Sequence, residues 1–144
     1  MKSLIKFGCV LFIGLFSITN FGMGAFAQGE QNDADGPKFE FKAENNRINL
    51  DTLYVDGIEE VNLEIEYENK GSQPLILFSV RACCGTRVVS YPEEPVSPGE
   101  TGVIEVHFRV APRPHNINRT VTADSNDPAV RKVLRITGRV EVKE

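Results

Sequence analysis

Strict alternation of apolar and polar residues is the feature that most limits how this chain can fold. In residues 61–68, the apolar residues Val61, Leu63, Ile65 and Tyr67 alternate with one asparagine and three glutamates. The same period of two runs through residues 103–110 and 133–142. Successive side chains of a strand point to opposite faces, so this period predicts strands with one buried and one solvated face.

Turn-forming residues separate the alternating segments. Gly, Pro, Asn and Asp cluster between them, for example in "NKGSQP" and "YPEEPVSPGE", and such clusters end strands. We predict seven or eight strands, at residues 38–42, 47–54, 61–69, 75–82, 86–91, 102–110, 118–124 and 132–142. No segment repeats apolar residues at helical spacing, so we expect no substantial helix. Many short antiparallel strands in one small domain indicate an all-β, Ig-like antiparallel β-sandwich.

The first 27 residues have the composition of a cleaved signal peptide. Lys2 and Lys6 form a positive start, the apolar run "VLFIGLFSI" follows, and "AFA" supplies the small residues before a cleavage site. The run is shorter than the roughly 20 apolar residues that a membrane span needs. Lipidation at Cys9 is disfavoured because Cys9 precedes the apolar run. We therefore expect an exported protein, periplasmic or extracellular, that is not embedded in a membrane.

The expected organisation is a signal peptide at residues 1–27, a flexible polar lead-in at 28–37 and a sandwich domain at 38–144. Cleavage would leave 14 Lys and Arg against 20 Asp and Glu, a formal charge of −6. Nucleic acids need clustered positive charge, so we expect no nucleic-acid partner. The acids concentrate before residue 71, and we interpret them as solvated strand faces and cross-strand pairs rather than a docking site.

Cys83 and Cys84 are the only cysteines of the expected mature chain, and they are adjacent. Adjacent Cα atoms lie about 3.8 Å apart across a trans peptide, whereas disulfides usually join Cα atoms roughly 4.4–6.8 Å apart. We therefore predict no Cys83–Cys84 bridge in the resting protein. The alternative is a bridge that forms only as a strained, easily reduced switch. Strand parity extended from Ile76, Phe78 and Val80 places Cys84 on the core side and Cys83 on the solvated side. The chain is expected to be a monomer unless oxidation links two copies through Cys83.

The same two cysteines are the candidate reactive thiols. Arg81 and Arg87 flank the pair, and nearby cations lower a thiol pKa by favouring the thiolate. The opposing interpretation is that one cysteine packs as a small buried apolar residue.

The sequence contains no set of residues suited to a metal site or to hydrolytic catalysis. A structural zinc site needs four ligands, and His107 and His115 are the only histidines that could join the cysteines. His107 alternates with charged residues on a solvated strand face, and neither histidine has the neighbours of a hydrolytic triad. We expect no metal, no cofactor and no enzymatic activity.

The order of several motifs resembles that of a known family. The segments "YENKGSQPLILFSVRACCGT", "PEEPVSPGETGVIEVHF", "TVTADSND" and "LRITGRV" lie within residues 38–142. Together they are similar to the secreted bacterial family called domain of unknown function 1573, whose members are Ig-like sandwiches related to hydin-type and PapD-like domains. Members typically have Ser-Cys-Gly-Cys-Thr at this point. Cys83 stands at the Ser, Cys84 at the first Cys, Gly85 at the Gly and Thr86 at the second Cys, so the family's Cys-x-Cys is absent here. Asp51 stands where the family often has Gly.

Composition, fold class and resemblance lead to one functional expectation and one alternative. We expect a non-catalytic Ig-like module that binds or scaffolds envelope or extracellular components through protein partners of unknown identity. Edge strands give such a fold a physical route to binding, since they can pair with a partner strand. The alternative is a thiol-based redox or disulfide-exchange protein that uses Cys83 and Cys84.

Overall fold

A computed structural model of the chain describes residues 36–129 and 131–143. Its eight strands are β1 (Phe39–Phe41), β2 (Arg47–Val55), β3 (Glu59–Asn69), β4 (Leu77–Ala82), β5 (Thr86–Ser90), β6 (Thr101–Val110), β7 (His115–Ser125) and β8 (Lys132–Val142). Each strand begins and ends within three residues of the corresponding strand predicted from the alternation. One short 3-10 segment, Glu44–Asn46, is the only helical element among the described residues.

The predicted signal peptide at residues 1–27 lies outside the described residues, as does most of the lead-in at 28–37. In the part of the chain that the structure describes, no helix is long and apolar enough to cross a membrane.

The strands form two four-stranded sheets. The first sheet has the order β1-β3-β6-β5 and the second the order β2-β8-β7-β4. Five of the strand pairs are antiparallel, but β2 and β8 are parallel. This corrects the expectation of a purely antiparallel sandwich. Parallel neighbours need a long connection, and strands β3 to β7 all lie between β2 and β8 in the chain. Alternation does not reveal the direction of pairing, because a strand with one solvated face has the same period of two in a parallel and in an antiparallel pair.

The inward side chains of both sheets form one apolar core. It contains Ile65 and Phe108 from the first sheet and Val80 and Ile136 from the second, together with Val106. The alternation places all five on the apolar side of their strands, and each is at most 9% exposed. The prediction of their facing is therefore confirmed. The alternation through residues 133–142 also puts Val142 on the apolar side of its strand, but Val142 is 40% exposed, since it is the last residue of β8.

Aromatic rings fill the core beside β1. The Phe39 ring stacks on the Tyr67 ring with centroids 4.7 Å apart, and Phe41 meets Phe39 edge-on at the same separation. Gly102 is the cross-strand partner of Tyr67, and a Cβ atom at Gly102 would collide with the Tyr67 ring. The absence of a side chain at residue 102 is therefore a condition for this packing.

Two buried polar residues hold the loops around this core. The Asn69 side chain donates to the Val96 carbonyl at 2.9 Å and accepts from the Gly71 amide at 3.0 Å. The Asp127 carboxylate accepts from the Phe39 amide at 2.8 Å. Buried polar groups are tolerated when they are hydrogen-bonded in this way. Asn69 and Asp127 belong to the motifs "YENKG" and "SNDP", which therefore have structural roles.

Candidate functional site

Cys83 and Cys84 lie in the tight turn that joins β4 to β5. The Thr86 amide donates to the Cys83 carbonyl at 3.2 Å, and the φ angles of Cys84 and Gly85 are 61° and 76°. A two-residue turn with positive φ at both central positions is of type I′. Gly85 adopts its conformation without a Cβ clash, whereas Cys84 is in a region that side chains other than Asn and Asp rarely enter. The strand therefore ends at Ala82, before the cysteines.

Cys84, and not Cys83, is the more exposed of the two free thiols. Cys83 is half-buried and Cys84 is exposed, so the assignment from strand parity is wrong. It fails because β4 ends at Ala82 and the turn interrupts the alternation before residue 84. Phe78 departs from the same parity for a separate reason, a register shift between Leu77 and Ser79 that turns it to solvent at 64% exposure.

The two sulfur atoms are in direct contact. The Sγ atoms of Cys83 and Cys84 are 2.7 Å apart, and the described chain contains no cis peptide bond. Strand β7 holds the half-buried sulfur in place. The Thr120 hydroxyl and amide donate to Cys83 Sγ at 3.0 and 3.3 Å, and the Cys83 amide donates to the Thr120 carbonyl at 3.0 Å. The turn is thus fixed on the Cys83 side and open on the Cys84 side.

Arg119, also from β7, lies across the turn. Its guanidinium donates to the Cys84 carbonyl and, at 3.2 Å, to the Arg109 carbonyl. The same group lies 4.5 Å from the centroid of the buried Phe108 ring, a cation–π contact. None of the ion pairs among described residues includes Arg119. Its positive charge is therefore available to the turn.

These contacts give the two thiols different acidities. Hydrogen bonds from the Cys84 thiol and the Thr120 hydroxyl lower the pKa of Cys83. Burial raises it by less than either bond lowers it, and the Thr120 amide and the Arg119 charge lower it further by smaller amounts. The hydrogen bond to Cys83, with some desolvation, raises the pKa of Cys84. The pair therefore loses its first proton from Cys83, and the thiolate is the reactive form of cysteine.

The arginines proposed from the sequence do not supply this effect. Arg81 pairs with Asp124 at 3.3 Å, and Arg87 lies opposite His107 in the first sheet. The charge that acts on the thiols belongs to Arg119. No spacing in the sequence indicates this residue, because only the pairing of β4 with β7 brings it to the turn.

The histidines are occupied elsewhere. His107 Nε2 lies 3.6 Å from a Glu60 carboxylate oxygen, and His115 Nδ1 lies 2.7 Å from the Arg113 carbonyl. Across residues 36–129 and 131–143, no three His, Cys, Asp or Glu side chains come together in a way that could hold a metal ion.

The cysteine turn connects two edge strands with a shared irregularity. Strand β4 is at the edge of the second sheet and β5 at the edge of the first, and each has a register shift. The residues at the shifts, Phe78 and Val89, are 64% and 55% exposed. Bulges change where a side chain points, and here both turn an apolar side chain outward. We call the surface formed by Leu77–Ala82 and Thr86–Ser90 the β4/β5 edge.

A cavity of about 460 Å³ adjoins this edge and is lined by Val89, Glu64 and Glu105 among others. Glu64 and Glu105 are direct cross-strand partners, and like charges in that arrangement repel. Ser90 relieves part of the repulsion, since its hydroxyl donates to the Glu105 carboxylate at 2.9 Å. The cavity therefore combines an apolar wall with two carboxylates that join none of the ion pairs in the described part of the chain.

Comparison with known proteins identifies a family without an assigned activity. The model of a family described as a protein of unknown function (DUF1573) matches residues 39–140. No curated protein matches the chain.

Several solved structures resemble the chain. A protein of unknown function from Porphyromonas gingivalis W83 has a TM-score of 0.55 at 22% identity, over 80% of this chain and 51% of that one. The secreted serine protease VesC from Vibrio cholerae has a TM-score of 0.51 at 10% identity, over 73% and 23%. PapD-like domain 7 of human CEP192 has a TM-score of 0.44 at 11% identity, over 96% and 98%.

The chain spans about half of the Porphyromonas protein and about a quarter of VesC. At these identities, the first two likenesses establish the fold alone.

Proposed function

The chain belongs to the DUF1573 family, and from that membership we propose that it is an exported, non-catalytic module of the cell envelope or exterior that binds a protein partner at the β4/β5 edge. One observation carries the proposal. Two neighbouring edge strands each have a bulge, and each bulge exposes an apolar side chain, Phe78 or Val89.

The β4/β5 edge offers two kinds of contact to a partner. Edge strands present unpaired backbone groups that can accept a partner strand, and Ser79–Ala82 pair with β7 in regular register on the other side of β4. Large exposed apolar side chains serve as anchors, and aromatic residues are enriched where binding energy concentrates. Because the bulges interrupt long strand pairing, the partner segment is a short strand that contacts Phe78 and Val89.

The acidic cavity beside Val89 adds a chemical preference. A Lys or Arg of the partner would relieve the repulsion between Glu64 and Glu105 while its stem packs on Val89. The favoured partner segment is therefore short, extended, and carries an apolar residue near a basic one.

Photo-crosslinking in the native host tests the binding surface. Benzoylphenylalanine would replace Phe78, Val89 or Tyr54, three exposed apolar residues of which Tyr54 lies on the opposite edge strand β2. We expect the same crosslinked partner from positions 78 and 89, none from position 54, and loss of the crosslink at position 78 when Glu105→Lys is added. A partner captured equally well at position 54, or unaffected by Glu105→Lys, would refute the assignment of this edge.

N-terminal sequencing tests the export part of the proposal. The recovered protein should begin at Gln28 or within a few residues of it, because "AFA" follows a short apolar run. A chain that retains Met1 in a membrane fraction would contradict export by a cleaved signal peptide.

A further inference from the structure

We propose that Cys83 and Cys84 form a thiol–disulfide exchange site that reacts with a small anionic disulfide and closes into a Cys83–Cys84 bond. Three observations support the site: the sulfurs are in contact at 2.7 Å, Cys84 is open to solvent, and two donors from Thr120 point at Cys83 Sγ. The reaction modifies each chain once and is not catalytic. It does not depend on partner binding at the β4/β5 edge.

The positions of the sulfurs favour an internal bond over a link between two copies. The short Cα spacing strains the closed ring and makes it easily reduced, but closure itself requires one sulfur to reach the other. The left-handed conformation of Cys84 brings its sulfur onto that of Cys83. A second copy must arrive by diffusion, whereas the neighbouring thiol is already in contact. A cysteine in a conformation that Gly or Asn adopts more readily also points to a role for its thiol.

The half-buried thiolate acts first and the exposed thiol acts second. The Cys83 thiolate attacks one sulfur of R–S–S–R, which forms Cys83–S–S–R and expels RS⁻. Cys84 then loses its proton to solvent, and its sulfur attacks Cys83 Sγ, which expels the second RS⁻ as the internal bond forms. The two cysteines lose two electrons and two protons, and the disulfide R–S–S–R becomes two RSH molecules. Because Cys83 is half-buried, a small disulfide reaches it more easily than one in a folded protein.

The charges around the turn favour an anionic disulfide. Arg119 from β7 and Arg87 from β5 have no carboxylate partner among the ion pairs of the described chain, whereas Arg81 is paired with Asp124. On β6, Arg109 is paired with Glu60. The turn therefore keeps net positive charge, which raises the local concentration of anions.

Mass spectrometry of the native protein after exposure to oxidised glutathione tests closure. We expect a monomer lighter by two hydrogens in which alkylation modifies neither cysteine. Cys84→Ser should instead accumulate a glutathione adduct on Cys83, because the second thiol is missing. Cys83→Ser should react more slowly at neutral pH. A parent protein that accumulates the adduct, or that forms the dimer through Cys83 expected from the sequence, would overturn the proposal.

Two variants of β7 test the chemistry of the site. Thr120→Val removes the hydroxyl donor to Cys83 and should move the pH–rate profile to higher pH, slowing exchange roughly 3- to 10-fold at neutral pH. Thr120 is a positioning residue, so an unchanged profile in a folded variant would contradict its role.

Arg119→Gln should slow reaction with oxidised glutathione more than with cystamine, a cationic disulfide. Equal slowing would refute the charge preference, and insulin reacting as fast as glutathione disulfide would refute the preference for small disulfides.

Discussion

Tyr67 carries a buried hydroxyl group that finds no hydrogen-bond partner in the described part of the chain. Burial disfavours the charged phenolate and raises the pKa of Tyr67 to about 12, from about 10 in an unfolded chain. Between these pH values the unfolded state releases a proton that the folded state keeps. The free energy of unfolding contributed by this residue is therefore intact below pH 10 and falls as the pH rises towards 12.

Tyr67→Phe should remove this pH dependence. Below pH 10, the variant should be at least as stable as the parent, since an unpaired buried hydroxyl costs about 1–3 kcal/mol. From pH 10 to 12, the parent should lose roughly 2–3 kcal/mol relative to the variant. Urea unfolding across this pH range measures both effects. Tyr54→Phe is the control, because Tyr54 is 63% exposed, and parallel stability curves for the parent and Tyr67→Phe would contradict the prediction.

At the scale of single residues, the sequence identified the candidate thiols but not their environment. The adjacency of Cys83 and Cys84 is visible in the sequence, and their flanking arginines suggested a source of charge. The residues that act on the sulfurs, Arg119 and Thr120, are more than thirty positions away. Register between β4 and β7 creates that proximity, and register depends on three-dimensional pairing that a single strand's pattern does not contain.

At the scale of elements, the type I′ turn depends on the residue at its second central position. Gly85 has a φ of 76°, so Gly85→Ala should cost about 1–2 kcal/mol through the Cβ clash of the left-handed region. Gly99→Ala should cost a similar amount, because Gly99 has a φ of 79° and no neighbour that a Cβ would touch. Gly57→Ala is the control without positive φ or crowding. The shift of each urea midpoint tests this, and a destabilised Gly57→Ala with an unaffected Gly85→Ala would count against it.

The elements themselves were well predicted from the sequence, but their irregularities were not. Alternation and turn residues located all eight strands because these signals are local. Phe78 and Val89 could not be recognised as bulged residues, since a bulge is defined by two residues facing one on the partner strand. Only the register shift in β2 had an indirect indication in the sequence. Asp51 replaces a frequent family Gly, and it lies at this shift with a φ of 52°.

Over the whole molecule, exposed acidic and basic side chains pair across neighbouring strands. The sequence interpretation of acids as solvated faces with cross-strand pairs agrees with Glu60–Arg109 and Glu66–Lys42, which are ion pairs at 3.0 and 3.2 Å. Exposed pairs of this kind contribute little, about 0–1 kcal/mol each. Stability must therefore come from the core that both sheets share.

A shared core predicts that the two sheets unfold together. Phe108 belongs to the first sheet and Ile136 to the second, and both are essentially inaccessible to solvent. Phe108→Ala should cost about 3–5 kcal/mol and Ile136→Ala about 2–5 kcal/mol, because each leaves a cavity in the same core. Domains of this size usually unfold in one step, so each variant should shift a single transition in calorimetry and far-ultraviolet circular dichroism alike.

Glu105→Ala, on the solvated face of β6, should melt close to the parent. If Phe108→Ala melted like the parent while Glu105→Ala did not, the facing of β6 would be reversed. If either core variant split the transition in two, the two sheets would unfold independently. The lost free energy of unfolding, out of a typical total of about 5–15 kcal/mol, would then be confined to the sheet that carries the substitution.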